Sequence, residues 1–312
     1  MNLFSLFDGT RGAIGTVNVT TDPRYSFVIQ TVDQIRNAVI MEKLLRQPFL
    51  DLFIAAYKED ANLPDNLKYE VPREEHISGQ VQIKQFGNDP PTDADVLEFF
   101  TNAFPDVYLV PGEMGTDGGE SIESDKVYIA IARSLVQLWY QTQLNPGRFS
   151  VSQLIFMFMA TLFGETAHSA LVWYNIRRAF SCPRSGGIER EAGKFIQTQL
   201  WGGSTDVEFV KNLTSNISLL EDVGITKGSV FFPIDADLAQ RLIMFDVSKG
   251  LPLLDVSTLA PTPLVTTGRT RSKFPRMIGT LAPQREFHVT PKEILVRRRL
   301  LENDKTRVVP GV

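Results

Sequence analysis

The sequence has 312 residues, of which 43% are hydrophobic and 22% are charged, a balance typical of a folded globular protein rather than a disordered chain. It contains one cysteine and three histidines, which excludes an internal disulfide and nearly excludes a cysteine/histidine metal cage. The net charge of −4 hides a separation, because residues 269–312 carry +7 and the rest of the chain carries −11.

The first residues lack the basic start and long apolar stretch of a secretion signal. The longest apolar run, Leu154 to Phe163, is ten residues, whereas a membrane-spanning helix needs about 20. The sequence therefore predicts a protein that is not secreted, makes no membrane contact and uses this run as a core helix.

Residues 1–88 are predicted to mix strands and helices. Val17 and Val19 alternate with polar neighbours, Tyr25 to Ile29 is rich in strand-forming residues, and Asp22-Pro23 signals a turn between them. This pattern predicts a small hairpin.

Further along this region, apolar residues recur at helical spacing from Thr31 to Arg46. Pro48 predicts a break before a second short helix from Phe49 to Tyr57. Alternation of apolar and polar residues at 81–85 predicts a short strand.

Residues 89–250 are predicted to form an acidic helix followed by a helical core. The stretch 89–125 holds ten carboxylates and no Lys or Arg. Thr92 is a suitable N-cap for a helix from Asp93 to Phe104, and a glycine-rich loop is expected from Pro111 to Gly119.

From Ser124 to Gly224 the apolar spacing predicts a helical bundle. Capping-box patterns stand at Ser150–Gln153 and at Thr205–Glu208, and Gly224 lies where a helix would stop. One predicted helical stripe consists of Tyr128, Ile131, Leu135 and Leu138.

After Gly224, a strand is predicted at Ser229 to Phe232 and a helix at Asp235 to Phe245. Residues 250–284 contain five prolines, which predicts an extended linker or arm. Thr290, Pro291 and Glu293 are suited to begin a final short basic helix, and a disordered end is expected at 305–312.

The predicted fold class is mainly α (α+β), with a central helical bundle, a small β-containing N-terminal part and an extended C-terminal arm ending in a short basic helix. Three regions are expected. They are a mixed N-terminal region at 1–88, the acidic helix and helical core at 89–250, and a Pro-rich linker with a basic arm at 251–312.

Catalytic and metal-binding motifs are weak in this sequence. Gly187 to Lys194 resembles a phosphate-binding loop, but it has five residues between its glycines, and Phe195 replaces the required Ser/Thr. Glu165 and His168 have the spacing used in di-iron bundles, which need a second copy that is missing here. We predict no catalytic residue, no cofactor and no metal, and the protein is not expected to be an enzyme.

The acidic loop allows three interpretations: a solvated surface, a hard-cation site, or an acidic patch that receives a basic partner. Its spacing does not match an EF-hand. Its carboxylates are Glu113, Asp117, Glu120, Glu123 and Asp125.

The basic C-terminal region is the most informative charge feature. It can neutralise phosphates of RNA or DNA without base-specific contacts, or it can lie across the acidic surface of a neighbouring copy; the two roles are weighed equally and are compatible. The residues expected to make these contacts are Arg269, Arg271, Lys273, Arg276, Arg297, Arg298 and Arg299.

An acidic body joined through a Pro-rich linker to a basic arm resembles, in layout alone, viral coat and nucleocapsid proteins. The leading hypothesis is therefore a structural self-assembling subunit of a virus or phage, with other copies of itself and RNA or DNA as partners, located in the virion or in the host cytoplasm or nucleus. The alternative is an accessory binding module of a larger cellular complex, and the third hypothesis is an enzyme with a dispersed site.

Overall fold

A computed structural model describes residues 4–9, 14–61, 90–110, 128–144, 149–174, 192–212, 217–261 and 269–272. These residues form seven α-helices and two four-stranded sheets, which confirms the predicted mainly α fold with a central helical bundle. The helices are α1 Ser26–Met41, α2 Lys43–Ala61, α3 Asp93–Asn102, α4 Arg133–Leu144, α5 Val151–Tyr174, α6 Ala192–Trp201 and α7 Ala236–Ile243. The strands are β1 Leu6–Asp8, β2 Val17–Asn18, β3 Val107–Val110, β4 Ile129–Ala132, β5 Ser204–Asn212, β6 Ile217–Lys227, β7 Val230–Pro233 and β8 Arg269–Ser272.

Helix α5 is the centre of the bundle. It packs against α1, α2, α4, α6 and α7, and its apolar residues cover its whole circumference, as expected for a helix surrounded by protein. Among the described residues it is the one helix that is long and apolar enough to cross a membrane, at Val151–Leu171. However, 89% of its most apolar window is buried inside the protein. The predicted core helix is thus confirmed, with a length of 24 residues.

One cluster of buried apolar side chains joins all seven helices to both sheets. It contains the three tryptophans of the chain, Trp139, Trp173 and Trp201. The last core residue along the described chain is Val256.

The first sheet has the strand order β2-β1-β3-β4. Strands β1, β3 and β4 are parallel, and β2 is antiparallel to β1. The parallel neighbours β1 and β3 require a long crossover connection. Helices α1, α2 and α3 belong to this connection, since they lie between β2 and β3 in the chain.

The second sheet has the order β7-β6-β5-β8 and is antiparallel throughout. Strands β5, β6 and β7 follow one another in the chain as a meander. A register irregularity interrupts the β5/β6 pairing between Glu208 and Phe209.

The predicted strand at Tyr25 to Ile29 is wrong. Tyr25 ends a 3-10 turn at Pro23–Tyr25, and Ser26 begins α1. The intrinsic strand preference is overridden because Val28, Val32, Ile35 and Val39 fall on one helical face and are fully buried. The predicted hairpin with a turn at Asp22-Pro23 is therefore wrong as well, and β2 pairs instead with β1, earlier in the chain.

The helix break predicted at Pro48 lies instead at Glu42, and α2 runs through the proline. Arg46 explains the position of the break, because its Nη1 donates to the carbonyl oxygens of Val39, at 3.2 Å, and of Ile40, at 2.5 Å. A cation that satisfies the last carbonyls of a helix stabilises its end. Pro48 is tolerated because it removes only a hydrogen bond near the start of α2.

The helix predicted from the capping-box pattern at Thr205–Glu208 is wrong, because residues 204–212 and 217–227 form β5 and β6. The segment is rich in β-branched residues, which favour strands. The Thr205 backbone N–H donates to Oε1 of Gln197 at 2.9 Å, rather than into a helical turn.

The helical stripe predicted to begin at Tyr128 is also partly wrong. Ile131 lies in β4, and α4 begins only at Arg133, so that Leu135 and Leu138 alone are helical. Parallel pairing with β3 fixes residues 129–132 as a strand, and this partner is distant in the sequence.

The helix starts predicted at Thr92 and Ser150 do form, unlike the one at Thr205. Asp95 Oδ2 accepts from the backbone N–H of Thr92 at 2.6 Å, at the start of α3. Ser150 and Gln153 exchange the two predicted capping-box bonds, at 3.0 and 3.1 Å. Helix α7 lies within its predicted segment, and β7 overlaps its predicted segment but ends one residue later, at Pro233.

Several predictions fall outside the described residues. These are the strand at 81–85, the boundary between 88 and 89, the loop from Pro111 to Gly119, the helix after Thr290 and the end at 305–312.

Gly224, predicted to stop a helix, instead permits close approach of two strands. A Cβ at this position would lie 2.4 Å from the carbonyl oxygen of Phe232 and 2.5 Å from Cζ of Phe231. We expect Gly224→Ala to lower the free energy of unfolding by about 1–3 kcal/mol, as overpacking does, measured by urea denaturation. The control is Gly228→Ala, where the φ of +63° is unfavourable but nothing lies within 4 Å. A smaller loss at Gly224 than at Gly228 would contradict the steric explanation.

Candidate functional site

The predicted basic contact residues are only partly described. Arg269 and Arg271 lie in β8. Outside the described residues are Lys273, Arg276, Arg297, Arg298 and Arg299. The five carboxylates of the predicted acidic patch, Glu113, Asp117, Glu120, Glu123 and Asp125, are outside them too.

Strand β8 pairs with the edge of β5. In this antiparallel register Arg269 lies opposite Val210, and Arg271 lies opposite Glu208. The pairing joins the start of the basic arm to the folded body through the backbone. An edge strand such as β5 offers a row of backbone donors and acceptors, and an added strand satisfies them with little dependence on side-chain identity.

The predicted acidic loop follows β3 in the chain, and β3 ends at one edge of the first sheet. Because β1, β3 and β4 are parallel, their last residues, Asp8, Val110 and Ala132, lie at the same edge. Such an edge is where open α/β sheets commonly bind ligands. Residues 111–127 follow β3 directly.

At this edge three side chains form a polar cluster, Asp8, Tyr25 and Arg133. Arg133 Nε lies 2.5 Å from Asp8 Oδ1, and the two side chains are 31% and 24% exposed. The Tyr25 hydroxyl donates to Asp8 Oδ2 at 2.8 Å. Burial raises the pKa of Tyr25 to about 12, and the hydrogen bond to the Asp8 carboxylate is the second largest cause. The phenol therefore stays protonated as a donor at neutral pH.

This cluster connects three elements that are distant in the chain. Asp8 ends β1, Tyr25 ends the turn before α1, and Arg133 begins α4. Asp8 and Arg133 form an ion pair across the sheet edge, although Asp8 Oδ1 and Arg133 Nε are buried and make no hydrogen bond among the described residues. The cluster contains no activated nucleophile with a base beside it. Among the described residues, no group of three or more His, Cys, Asp or Glu side chains could hold a metal ion.

No pattern in the sequence predicts this cluster. Its members share no local spacing, and only their convergence in space relates them. The available signal was Asp8-Gly9 directly after the apolar residues Leu6 and Phe7, which is typical of a strand that ends at a turn.

Glu165 and His168 lie on α5, as the helical spacing predicts. Glu165 is only 9% exposed, and burial raises its pKa to about 8. His168 is half-buried. One turn after Glu165, the Ser169 hydroxyl donates to the carbonyl oxygen of Tyr128 at 3.2 Å, which places this face of α5 against the start of β4.

No family model matches this sequence, and neither the curated proteins nor the solved structures contain a significant match.

Proposed function

We propose that this protein is a structural self-assembling subunit, of the coat or nucleocapsid type found in viruses and phages. Its basic C-terminal arm connects copies of the chain to one another, to nucleic acid, or to both. The observation that carries the proposal is the pairing of β8, the first described part of the arm, with an edge strand of the body.

Backbone pairing of this kind can be exchanged between copies. The β5 edge of one copy is identical to that of the next, so the same strand can pair within its own chain or with a neighbour. Seven residues, 262–268, separate the body from β8. Exchange of the strand would link copies without requiring a new interface.

Charge supports the same role for the arm. Residues 269–312 carry +7, and the remainder of the chain carries −11. A basic arm is attracted both to the acidic body of another copy and to the phosphates of nucleic acid. Binding to phosphates would weaken steeply as the salt concentration rises.

A pair of truncations tests this proposal. A chain ending at residue 268 loses β8 and every later cation, yet it keeps every described core side chain, because the core ends at Val256. We expect it to fold and to lose both the assemblies larger than a dimer and the bound nucleic acid. Light scattering and negative-stain images measure the assemblies, and the ratio of absorbance at 260 to 280 nm measures the nucleic acid.

The matched control is a chain ending at residue 272, which retains β8 but not the cations after it. We expect this chain to keep strand exchange and to lose most of its nucleic acid. If the chain ending at 268 assembles and retains nucleic acid like the full chain, the proposal is wrong. If the full chain itself stays monomeric at every concentration, an accessory binding module becomes the better description.

A further inference from the structure

We infer that an uncharged face on α1, extended by neighbouring side chains of α4 and by Met244 directly after α7, is a second interface at which two copies of this chain meet across a two-fold axis. The inference rests on the proposed function and adds to it a contact that does not involve the arm.

The residues of α1 that are exposed rather than half-buried carry no charge. Gln30, Gln34, Asn37 and Met41 are exposed, and their spacing places them on one face of the helix. Met41 is 77% exposed. In a chain with 22% charged residues, a helix of 16 residues with an uncharged outer side is unusual.

The two charged residues of α1, Asp33 and Arg36, form an ion pair, in which Asp33 is 32% exposed at the margin of this face and Arg36 is buried. Arg36 Nε donates to the carbonyl oxygen of Phe100 at 2.7 Å. Its Nη1 lies 3.2 Å from Oδ1 of Asp33. The outer side of the helix therefore presents amides and a thioether.

Exposed apolar side chains border the face on two sides. Phe27, in the first turn of α1, stacks on Tyr140 of α4 with ring centroids 6.0 Å apart, and Leu144 follows one turn later with 62% exposure. Gln34 Nε2 donates to the carbonyl oxygen of Ile243 at 3.2 Å, which brings Met244, 63% exposed, beside the middle of α1. We call these residues the uncharged face: Gln30, Gln34, Asn37, Met41, Tyr140, Leu144 and Met244.

The composition of the uncharged face matches the centre of a protein interface, where charged residues are depleted and aromatic residues and methionine are enriched. Exposed charged residues stand at its margin, among them Arg24, Glu42, Lys43 and Arg241. A polar margin around an uncharged centre is the usual anatomy of such interfaces.

The absence of charge on the uncharged face indicates which partner covers it. The face contains no cation that would bind the phosphates of nucleic acid, and no acid or base that would select an oppositely charged partner. An uncharged surface can meet its own copy without like-charge repulsion, although the protein as a whole carries −4. Each amide is both a donor and an acceptor, so a glutamine or asparagine can pair with the same residue of the other copy across a two-fold axis.

A charge-swap experiment in the full-length chain tests the inference. Gln34→Glu with Asn37→Glu places like charges opposite each other at the two-fold contact, and so does Gln34→Lys with Asn37→Lys. We expect each double variant alone to raise the dissociation constant of the two-copy contact at least about tenfold. A 1:1 mixture of the two variants should have the dissociation constant of the parent. Sedimentation velocity measures the association.

The control variant is Ala94→Glu with Thr101→Glu, which adds the same charge at exposed positions of α3. We expect it to associate like the parent, and circular dichroism checks that all variants fold. If the parent assembles and the α1 variants behave like this control, or if the mixture shows no recovery, the inference is wrong while the proposed function stands. If the parent does not self-associate at all, the proposed function fails together with the inference.

Discussion

Glu165→Gln should make the protein more stable, and the gain should grow as the pH rises from 5 to 8. Glu165 is buried in the middle of α5, and burial raises its pKa from 4.5 to about 8. Below pH 4.5 the carboxyl is protonated in both the folded and the unfolded chain, so it contributes no pH dependence. Between pH 4.5 and about pH 8 the folded chain holds a proton that the unfolded chain has released. The free energy of unfolding therefore falls as the pH rises.

The size of this effect follows from proton linkage. Each tenfold difference in proton affinity is worth about 1.4 kcal/mol, so the change in pKa corresponds to an upper value on the order of 5 kcal/mol above pH 8. A glutamine side chain has nearly the same shape and cannot ionise. The free energies of unfolding of parent and variant, measured in urea at pH 5 and at pH 8.5, give the difference directly.

The exposed Glu42 provides the control for this prediction. Glu42→Gln removes a carboxylate from a position outside the core, and it should change the free energy of unfolding by no more than about 0.5 kcal/mol. A gain from Glu165→Gln that is equally large at both pH values would contradict proton linkage as its cause.

Trp201→Ala should strongly destabilise the helical core. Trp201 is fully buried at the end of α6, and its ring makes edge contacts with Phe156 and Phe163 of α5 at centroid distances of 5.1 and 5.7 Å. Removing a buried tryptophan costs about 3–5 kcal/mol, because transfer free energy is lost and a cavity remains. Far-UV circular dichroism should monitor the urea transition, since the substitution also removes a fluorophore.

Trp201→Phe separates ring packing from hydrogen bonding at the same position. The Trp201 indole N–H is buried without a hydrogen-bond acceptor among the described residues, so phenylalanine removes an unsatisfied donor and keeps an aromatic ring between the two phenylalanines. We expect a loss below half of that for alanine. Equal losses for the two variants would contradict packing of an aromatic ring between the two phenylalanines as the source of the stability.

Helix starts were predictable because they depend on neighbours in sequence. Thr92 bonds with Asp95, and Ser150 bonds with Gln153, in each case within three residues. Asp235 likewise accepts from the backbone N–H of Leu238 at 2.7 Å, at the start of α7. Such hydrogen bonds involve only neighbouring residues once a helix forms, whereas the same pattern at Thr205–Glu208 starts no helix, because residues 204–212 form a strand.

Strands were predicted less well because their partners are remote. β4 pairs with β3, and β5 pairs with both β6 and β8. The apolar spacing of residues 207–220 fits a helix as well as a strand, and only the adjacent strands of the second sheet settle the choice. The end of α1 also depends on a residue that is remote in the chain. Arg46 caps this end, and its Nε donates to Asp93 Oδ1 of α3 at 2.7 Å.

The sequence by itself determined that the chain has a helical core, where several helices begin, and that its basic charge is concentrated after residue 268. Only the tertiary structure decided that Asp8, Tyr25 and Arg133 meet at one sheet edge, that the basic arm begins as a strand on β5, and that one side of α1 remains exposed without charge. The physical reason is range: caps and charge runs depend on residues a few positions apart, whereas sheet pairing and exposure depend on which distant segments pack together.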